Sequence, residues 1–308
     1  MRTLFTGVAA FAALASQTAH AAPGDPAKIG DGLSLDPIVD ARLRYEHVDT
    51  PTLDADALTL RIRAGFELRH STGLGLLAEA EGTTAILDQY NAFPFAIADS
   101  QRRTAHAVVA DPMNVELNRL QLQYKSKPLT LTLGRQRINL DDQRFVGSVG
   151  WRQNEQTFDA VRAEATVAGF TFDGTYSWSQ RTIFGIDAGK RQAYSGNFIF
   201  LGLGKTLGPV KIKGFSYLLD FDVKEPVAAT STQTYGARAT AAFPEACDRT
   251  KAGVSIVLGP TTSIQQDRGM VAMCGTRQGG VDLPMIAQQG PATLPDESWA
   301  GVPTAVTA

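Results

Sequence analysis

The sequence predicts an all-β protein, a transmembrane antiparallel up-and-down β-barrel of the outer-membrane type. Apolar and polar residues alternate with a period of two along much of residues 38–243, which is typical of strands with one face in lipid and the other in a wet interior. An export signal precedes this region. Beyond that signal, no apolar run approaches the ~20 residues of a transmembrane helix.

The N-terminal residues have the features of a Sec signal peptide. A short basic start at Arg2 leads into a largely apolar run, followed by the A-x-A site Ala19-His20-Ala21. The apolar run is too short for the alternative, a membrane anchor. Residues 1–21 are therefore expected to be removed, and the mature chain is expected to cross the periplasm to the cell outer membrane.

The alternation is clearest in the first two predicted strands, residues 38–48 and 58–69. In the second strand, Leu60 and Ile62 share one face, and Arg61 lies on the other. About ten strands of membrane length are recognised in this way. The remaining predicted strands span residues 74–83, 115–124, 129–137, 157–166, 170–180, 196–204, 210–221 and 233–243.

Three places interrupt this pattern. The parity slips at residues 135–137 and 213–215, which predicts a bulge or a strand end at each. The long connection at residues 84–113 is expected to be an exposed loop, with an inward fold that narrows the lumen as the alternative.

A soluble β-sandwich or barrel is the alternative fold, because strands at this spacing occur in both classes. Aromatic residues near strand ends, Tyr45, Tyr124, Trp178 and Tyr235, favour the membrane, where interface girdles belong. The composition is 44% hydrophobic with a mean hydropathy of −0.09. That is too polar for a helical membrane protein but suits a barrel whose inner face is wet.

Other function classes have little support. The net charge of −2 gives no general field that would attract nucleic acid. The four histidines are scattered and form neither H-x-x-x-H nor an arrangement around G-x-S-x-G, so no enzyme, cofactor or metal site is expected. A hydrolase whose His and Ser meet only in space is the alternative. Asp141 and Asp142 are a calcium candidate, but adjacent acids in a loop are usually solvated.

A block of motifs lies between residues 134 and 160. It comprises Gly134-Arg135-Gln136, Arg144-Phe145, Gly147, Trp151-Arg152-Gln153 and Phe158-Asp159-Ala160. This block resembles the alginate export family of outer-membrane porins, and weaker similarities extend the resemblance over residues 38–244. The resemblance implies a monomeric barrel of about 18 strands with an arginine-rich lumen that passes acidic polysaccharide. The implied partners are outer-membrane lipid, the barrel-assembly machinery and an anionic polysaccharide or small anionic solute.

Arginines on the predicted polar faces are the candidate lumen residues, because a guanidinium matches a carboxylate with two parallel hydrogen bonds. Arg135 and Arg152 depend mainly on the family block, and Arg42, Arg61 and Arg63 lie where the alternation is cleanest. The alternative is that the arginines pair with wall carboxylates across strands. The candidates are Arg42, Arg44, Arg61, Arg63, Arg69, Arg119, Arg135, Arg137, Arg152, Arg162 and Arg238.

The last part of the chain breaks the pattern. Residues 22–244 are predicted to form a partial barrel, whereas residues 245–308 are rich in Gly, Pro and Gln and contain Cys247 and Cys274. We expect a non-barrel, irregular tail, explained by a shifted reading frame near Pro244, with a natural extension as the alternative. The predicted function is accordingly a porin-like channel, and the alternative is a truncated, non-conducting or purely structural barrel remnant.

Overall fold

The computed structural model describes residues 26–247, 250–258 and 271–274, with side chains up to residue 240. Its thirteen strands form one sheet in which every strand pairs antiparallel with its neighbours in sequence. Within the described residues, the first and last strands do not pair with each other. The strands are β1 Ala27–Gly30, β2 Leu33–Asp49, β3 Asp54–His70, β4 Leu74–Gln89, β5 Asn114–Lys125, β6 Leu129–Gln136, β7 Thr157–Val167, β8 Phe170–Arg181, β9 Ala193–Leu207, β10 Val210–Phe221, β11 Thr232–Cys247, β12 Thr250–Leu258 and β13 Val271–Cys274.

The ten predicted strands are all present, as β2 to β11, so the predicted all-β, up-and-down fold is confirmed. Several strands are longer than predicted: β2 and β3 each have 17 residues. This exceeds the ~10 residues that a tilted strand needs to cross a bilayer. The residues of a strand that extend beyond the bilayer do not need to alternate, so the alternation in the sequence underestimates strand length.

Two predicted regions fall partly or wholly outside the described residues. The signal peptide at residues 1–21 lies outside them, as does most of the segment 245–308. Within that segment the structure nevertheless assigns β12 and β13, where no barrel strand was expected. Pairing with β12 satisfies backbone groups of β11 that would otherwise form a free sheet edge. The shifted reading frame stays a hypothesis.

Short turns and long connections alternate along the chain. The turns after β1, β3, β5, β7 and β9 have two or three residues and lie at one end of the sheet. Gly73 and Gly169 have positive φ in two of these turns, a conformation that glycine adopts without strain. The long connections after β4, β6 and β8 lie at the other end. Outer-membrane barrels have short periplasmic turns and longer outer loops.

The two faces of the sheet differ as the alternation predicts. Outward-facing apolar side chains are exposed, with Val39 at 80%, Leu43 at 62% and Leu133 at 50%. Inward-facing polar side chains are covered, with Thr59 at 1% and Glu81 at 1% exposed. No helix in the described part of the chain is long and apolar enough to cross a membrane.

The structure confirms one of the two predicted irregularities and corrects the other. β6 ends at Gln136, so the slip at residues 135–137 is a strand end. The prediction for residues 213–215 was wrong, because β10 pairs without a register shift along its whole length. Its inner face instead changes from Lys213 to the buried aromatics Phe215 and Tyr217, so the polarity changes while the strand geometry does not.

The expectation of an exposed loop at residues 84–113 was also wrong. β4 continues to Gln89, and the connection then folds back against the inner face of β3. Tyr90 and Phe93 are 1% and 0% exposed and pack with Ala55 and Ala57 of β3. Burial of these aromatic rings favours the inward fold over a solvated one.

Candidate functional site

The interior of the sheet is crossed by the connection from β6 to β7, residues 137–156, called here the inner loop. β6 ends at Gln136, whereas its neighbour β5 continues upward to Asn114. The chain therefore leaves the wall partway along its height and enters the interior. Gly134, with φ of 113°, stands close to the exit, and a Cβ there would lie 2.4 Å from the carbonyl oxygen of Leu120.

Arg42 on β2 holds the inner loop through its backbone. Its guanidinium donates to the carbonyl oxygens of Gly150 at 2.9 Å and Trp151 at 2.7 Å, and to that of Arg152. Its Nε donates to Oε1 of Gln153 at 3.0 Å. Arg42 thus clamps three consecutive loop carbonyls, those of Trp151 and Arg152 at partly buried residues, and supplies them with hydrogen-bond donors.

Asp111, at the end of the β4–β5 connection, is fully buried and joins three elements. It accepts a hydrogen bond from the backbone N–H of Gln153 at 3.0 Å and pairs with Arg44 of β2. Arg152 lies 3.8 Å away and also binds Glu46 at 3.0 Å. Burial lowers the pKa of Arg152, and the nearby carboxylates of Asp111 and Glu46 oppose that shift. The arginine remains charged at neutral pH, because its ordinary pKa is so high.

Glu155 is a second buried acid on the inner loop, 2% exposed. Its carboxylate receives Arg137 Nη2 at 2.6 Å and Asn118 Nδ2 at 2.7 Å, and Arg63 Nη2 lies 3.3 Å away. Arg63 also pairs with Glu81 of β4. These contacts tie the loop to β3, β4 and β5, and they neutralise a carboxylate that would be costly to bury alone.

The far side of the inner loop packs on aromatic residues of the opposite wall. Phe145 lies 5.6 Å from the ring of Phe215 and 6.0 Å from that of Tyr217. Nearby, Asp141 receives Lys213 Nζ at 2.9 Å on both carboxylate oxygens. The loop therefore spans the interior from the charged side at β2–β5 to the aromatic side at β8–β10.

Comparison with protein families identifies this architecture. The alginate export family model matches residues 41–217, more than half of the 308-residue chain. The chain belongs to the alginate export family. It is accordingly an outer-membrane protein, as the sequence predicted. No significant match is found among curated proteins.

Solved porin structures show the same fold at low sequence identity. OccAB1 of Acinetobacter baumannii has a TM-score of 0.53 at 10% identity, covering 77% of this chain and 54% of that one. OccAB3 of the same organism has a TM-score of 0.51 at 14% identity, with coverage of 78% and 60%. OpdK of Pseudomonas aeruginosa, solved with vanillate, has a TM-score of 0.51 at 10% identity, with coverage of 78% and 59%. The chain thus spans between half and two thirds of the length of each of these three porins.

Ten of the eleven candidate arginines form ion pairs in the part of the chain that the structure describes. The exception is Arg42, which binds loop carbonyls. Six wall carboxylates take part in these pairs: Glu46, Glu67, Glu79, Glu81, Asp159 and Glu164. The other four arginines form the pairs Arg61–Asp40, Arg137–Glu155, Arg152–Glu46 and Arg238–Asp142, and Arg162 also binds Asp173.

Two placements differ from the expected lumen lining. Arg61 and Arg63 have side chains only 5% and 9% exposed, so the inner loop and neighbouring groups cover them. Arg135 lies on the outward side, because it follows the exposed Leu133 by two residues and bonds to Asp159, directly opposite on β7. Its Nη1 also donates to the carbonyl oxygen of Leu117 at 3.1 Å, on the part of β5 beyond the end of β6. Arg135 lies here because β6 ends early. The part of β5 beyond that end has backbone carbonyls without a partner in β6, and in lipid such groups need a hydrogen-bond donor.

Sequence reasoning missed several interior residues of this family member. Lys211 and Lys213 lie two apart on the inner face of β10, and Arg181 pairs with Glu116 at 2.8 Å. The alternation of Lys211 and Lys213 with Val210 and Ile212 was the signal that could have found the lysines. In the described part of the chain, no group of three or more His, Cys, Asp or Glu side chains is placed to hold a metal ion. Asp141 and Asp142 instead bind Lys213 and Arg238.

Proposed function

We propose that this chain forms the wall of an outer-membrane channel that passes anionic solutes, with acidic saccharides such as polyuronates as the preferred class. The family and the fold support the channel, and they give no support to an enzyme. The choice of anions depends on the inner face. Most of its carboxylates pair with arginines, whereas cations such as Arg42 and Lys211 form no ion pair with a carboxylate among the described residues.

Arg42 is the single observation that carries this proposal. Its positive charge is met by carbonyl dipoles and an amide oxygen instead of by an acid. A cation held in this way keeps its full charge inside the sheet, and interior cations attract anions to a pore. The structure of OpdK with vanillate, a carboxylate, is consistent with this class of solute.

Planar-bilayer recording of the purified, folded protein in a potassium chloride gradient tests the proposal. We expect a reversal potential whose sign shows that chloride passes more readily than potassium. We also expect an added oligouronate to reduce the current, whereas a neutral oligosaccharide of equal length should not. Lys211→Glu should shift the reversal potential toward cations, because it changes the charge of the inner face. Lys190→Glu, at an exposed position of the short 3-10 segment Ile186–Arg191, is the matched control and should shift it less.

A non-conducting, structural barrel is the second candidate. The observation that favours it is the packing of the inner loop and the β4–β5 connection against the inner wall, in two clusters of buried hydrophobic residues. A folded protein, verified by its heat-dependent mobility in gels, that gives no current in bilayers would select this candidate and end the channel proposal.

A further inference from the structure

The inner face of β10 and β11 contains a polar pocket of about 180 Å³. Its lining consists of Lys211, Lys213, Arg238, Thr240 and Asp141. Lys211 is directly opposite Thr240, and Lys213 directly opposite Arg238, in the ladder between the two strands. The three basic side chains therefore share one face and converge on one small volume.

The acidic tip of the inner loop occupies part of this pocket. Lys213 Nζ lies 2.9 Å from both carboxylate oxygens of Asp141, and Arg238 Nη1 lies 3.1 Å from Oδ1 of Asp142. Tyr217 adds a hydroxyl donor 3.3 Å from Asp141 Oδ2. Asp141 thus has one cation and one hydroxyl around its carboxylate, and Asp142 has a second cation. Cations and hydroxyl donors are the partners that a bound carboxylate ligand would need.

The pocket retains donors that the loop tip does not satisfy. Lys211 is exposed and has no ion pair in the described part of the chain. Arg238 Nε is buried without a hydrogen-bond partner. Three cations thus face two carboxylates, and the pocket has both spare charge and a spare N–H group.

This ion pairing differs from that between neighbouring strands, and also from that of the buried Glu155, because Asp141 and Asp142 are exposed residues. Arg119–Glu79 and Arg162–Asp173 join neighbouring strands, whose positions the ladder fixes. Asp141 and Asp142 instead come from a connection that crosses the interior. Those two carboxylates can leave the basic residues without breaking any strand pairing, so these pairs can exchange.

We propose that Lys211, Lys213 and Arg238 form a carboxylate-binding subsite, and that Asp141 and Asp142 occupy it as an intramolecular competitor. A uronate carboxylate entering the pocket displaces the loop tip, whose carboxylates become hydrated. This inference deepens the proposed function, on which it rests, by assigning a subsite and a solute group to it.

Calorimetric titration of the detergent-solubilised, folded protein with galacturonate tests the subsite without requiring conduction. If the loop tip fills the site about nine-tenths of the time, its removal should tighten apparent binding roughly tenfold. We therefore expect the Asp141→Asn/Asp142→Asn variant to bind galacturonate about that much more tightly than the unaltered protein. Lys211→Gln/Lys213→Gln should lose binding, and galactose, which has no carboxylate, should not bind.

Asp187→Asn is the matched control, since it removes an exposed acid from the 3-10 segment Ile186–Arg191, and the affinity of this variant should equal that of the unaltered protein. Equal affinity in the Asp141→Asn/Asp142→Asn variant would overturn the competitor role. Equal tightening for inorganic phosphate would overturn the carboxylate assignment in favour of a general oxyanion site. If the protein binds galacturonate but gives no current in planar bilayers, the channel proposal is wrong and the subsite proposal is retained.

Discussion

The side-chain amide of Gln153 donates hydrogen bonds to both the hydroxyl and the carbonyl oxygen of Thr59, at 2.8 and 2.9 Å, across 94 residues of sequence. Gln153 is fully buried, and Thr59 lies on the inner face of β3. These two bonds, with the clamp from Arg42, dock the inner loop on the wall. Residues 150–153 of the loop are thus held on the wall by several hydrogen bonds, two of them buried.

Replacing Gln153 with Ala should release this part of the loop. The change leaves buried acceptors of Thr59 and a donor of Arg42 unmatched, which costs about 1–3 kcal/mol per group. We expect faster trypsin cleavage within residues 137–152, where Arg144 and Arg152 offer sites. Gln121→Ala, at an inward position of β5, is the control. Cleavage at the control rate would show that Gln153 does not hold the loop.

The pair Arg119–Glu79 predicts a rescue. Arg119 donates to both carboxylate oxygens of Glu79, at 2.9 and 2.6 Å, and Glu79 is 3% exposed. Arg119→Ala should lower the free energy of unfolding by about 3–5 kcal/mol, because it leaves a buried charge unpaired. Adding Glu79→Gln should recover part of that loss in urea titrations. If the double variant is no more stable than Arg119→Ala alone, the unpaired charge is not the cause.

The orientation of β3 predicts a lipid effect at Ile62. This side chain is 45% exposed at the middle of a 17-residue strand. Ile62→Arg should destabilise the protein in lipid vesicles by roughly 2–4 kcal/mol, the cost of a cation at the centre of the bilayer. Ile62→Leu should be nearly neutral. Gln121→Arg, on the inner face, should cost far less than Ile62→Arg, and equal costs would contradict the assignment of faces.

Gly134 predicts a backbone effect where β6 ends. Its φ of 113° and the 2.4 Å approach of the Leu120 carbonyl oxygen leave no room for a methyl group. Gly134→Ala should cost about 1–3 kcal/mol of unfolding free energy through backbone strain. Gly169→Asn is the control, since it has φ of 80° in open space and asparagine tolerates that region. A Gly134→Ala protein as stable as this control would rule out the strain.

The wall of this protein was predictable from sequence, and the interior was not. Leu58 to Arg69 alternate because a strand presents successive side chains to opposite media, and this local rule located β3, although the strand begins earlier, at Asp54. The buried state of Arg63 depends on Glu155, 92 positions later, and on a loop with no periodicity. The aromatic face of β10 similarly depends on Phe145. Polar side chains on one face of a strand therefore predict a solvated face only where no other segment of the chain covers that face.

The route of the inner loop has a consequence for assembly. Gln153 contacts β3, which precedes it in the chain, and Phe145 contacts β10, which follows it. The contacts of Gln153 need only earlier strands, but those of Phe145 cannot form until residues near 217 have been made and placed beside these strands. Contacts of such sequence separation form slowly. The strand ladder, whose neighbours are adjacent in sequence, therefore grows first, and docking of the loop is the step that reports its completion.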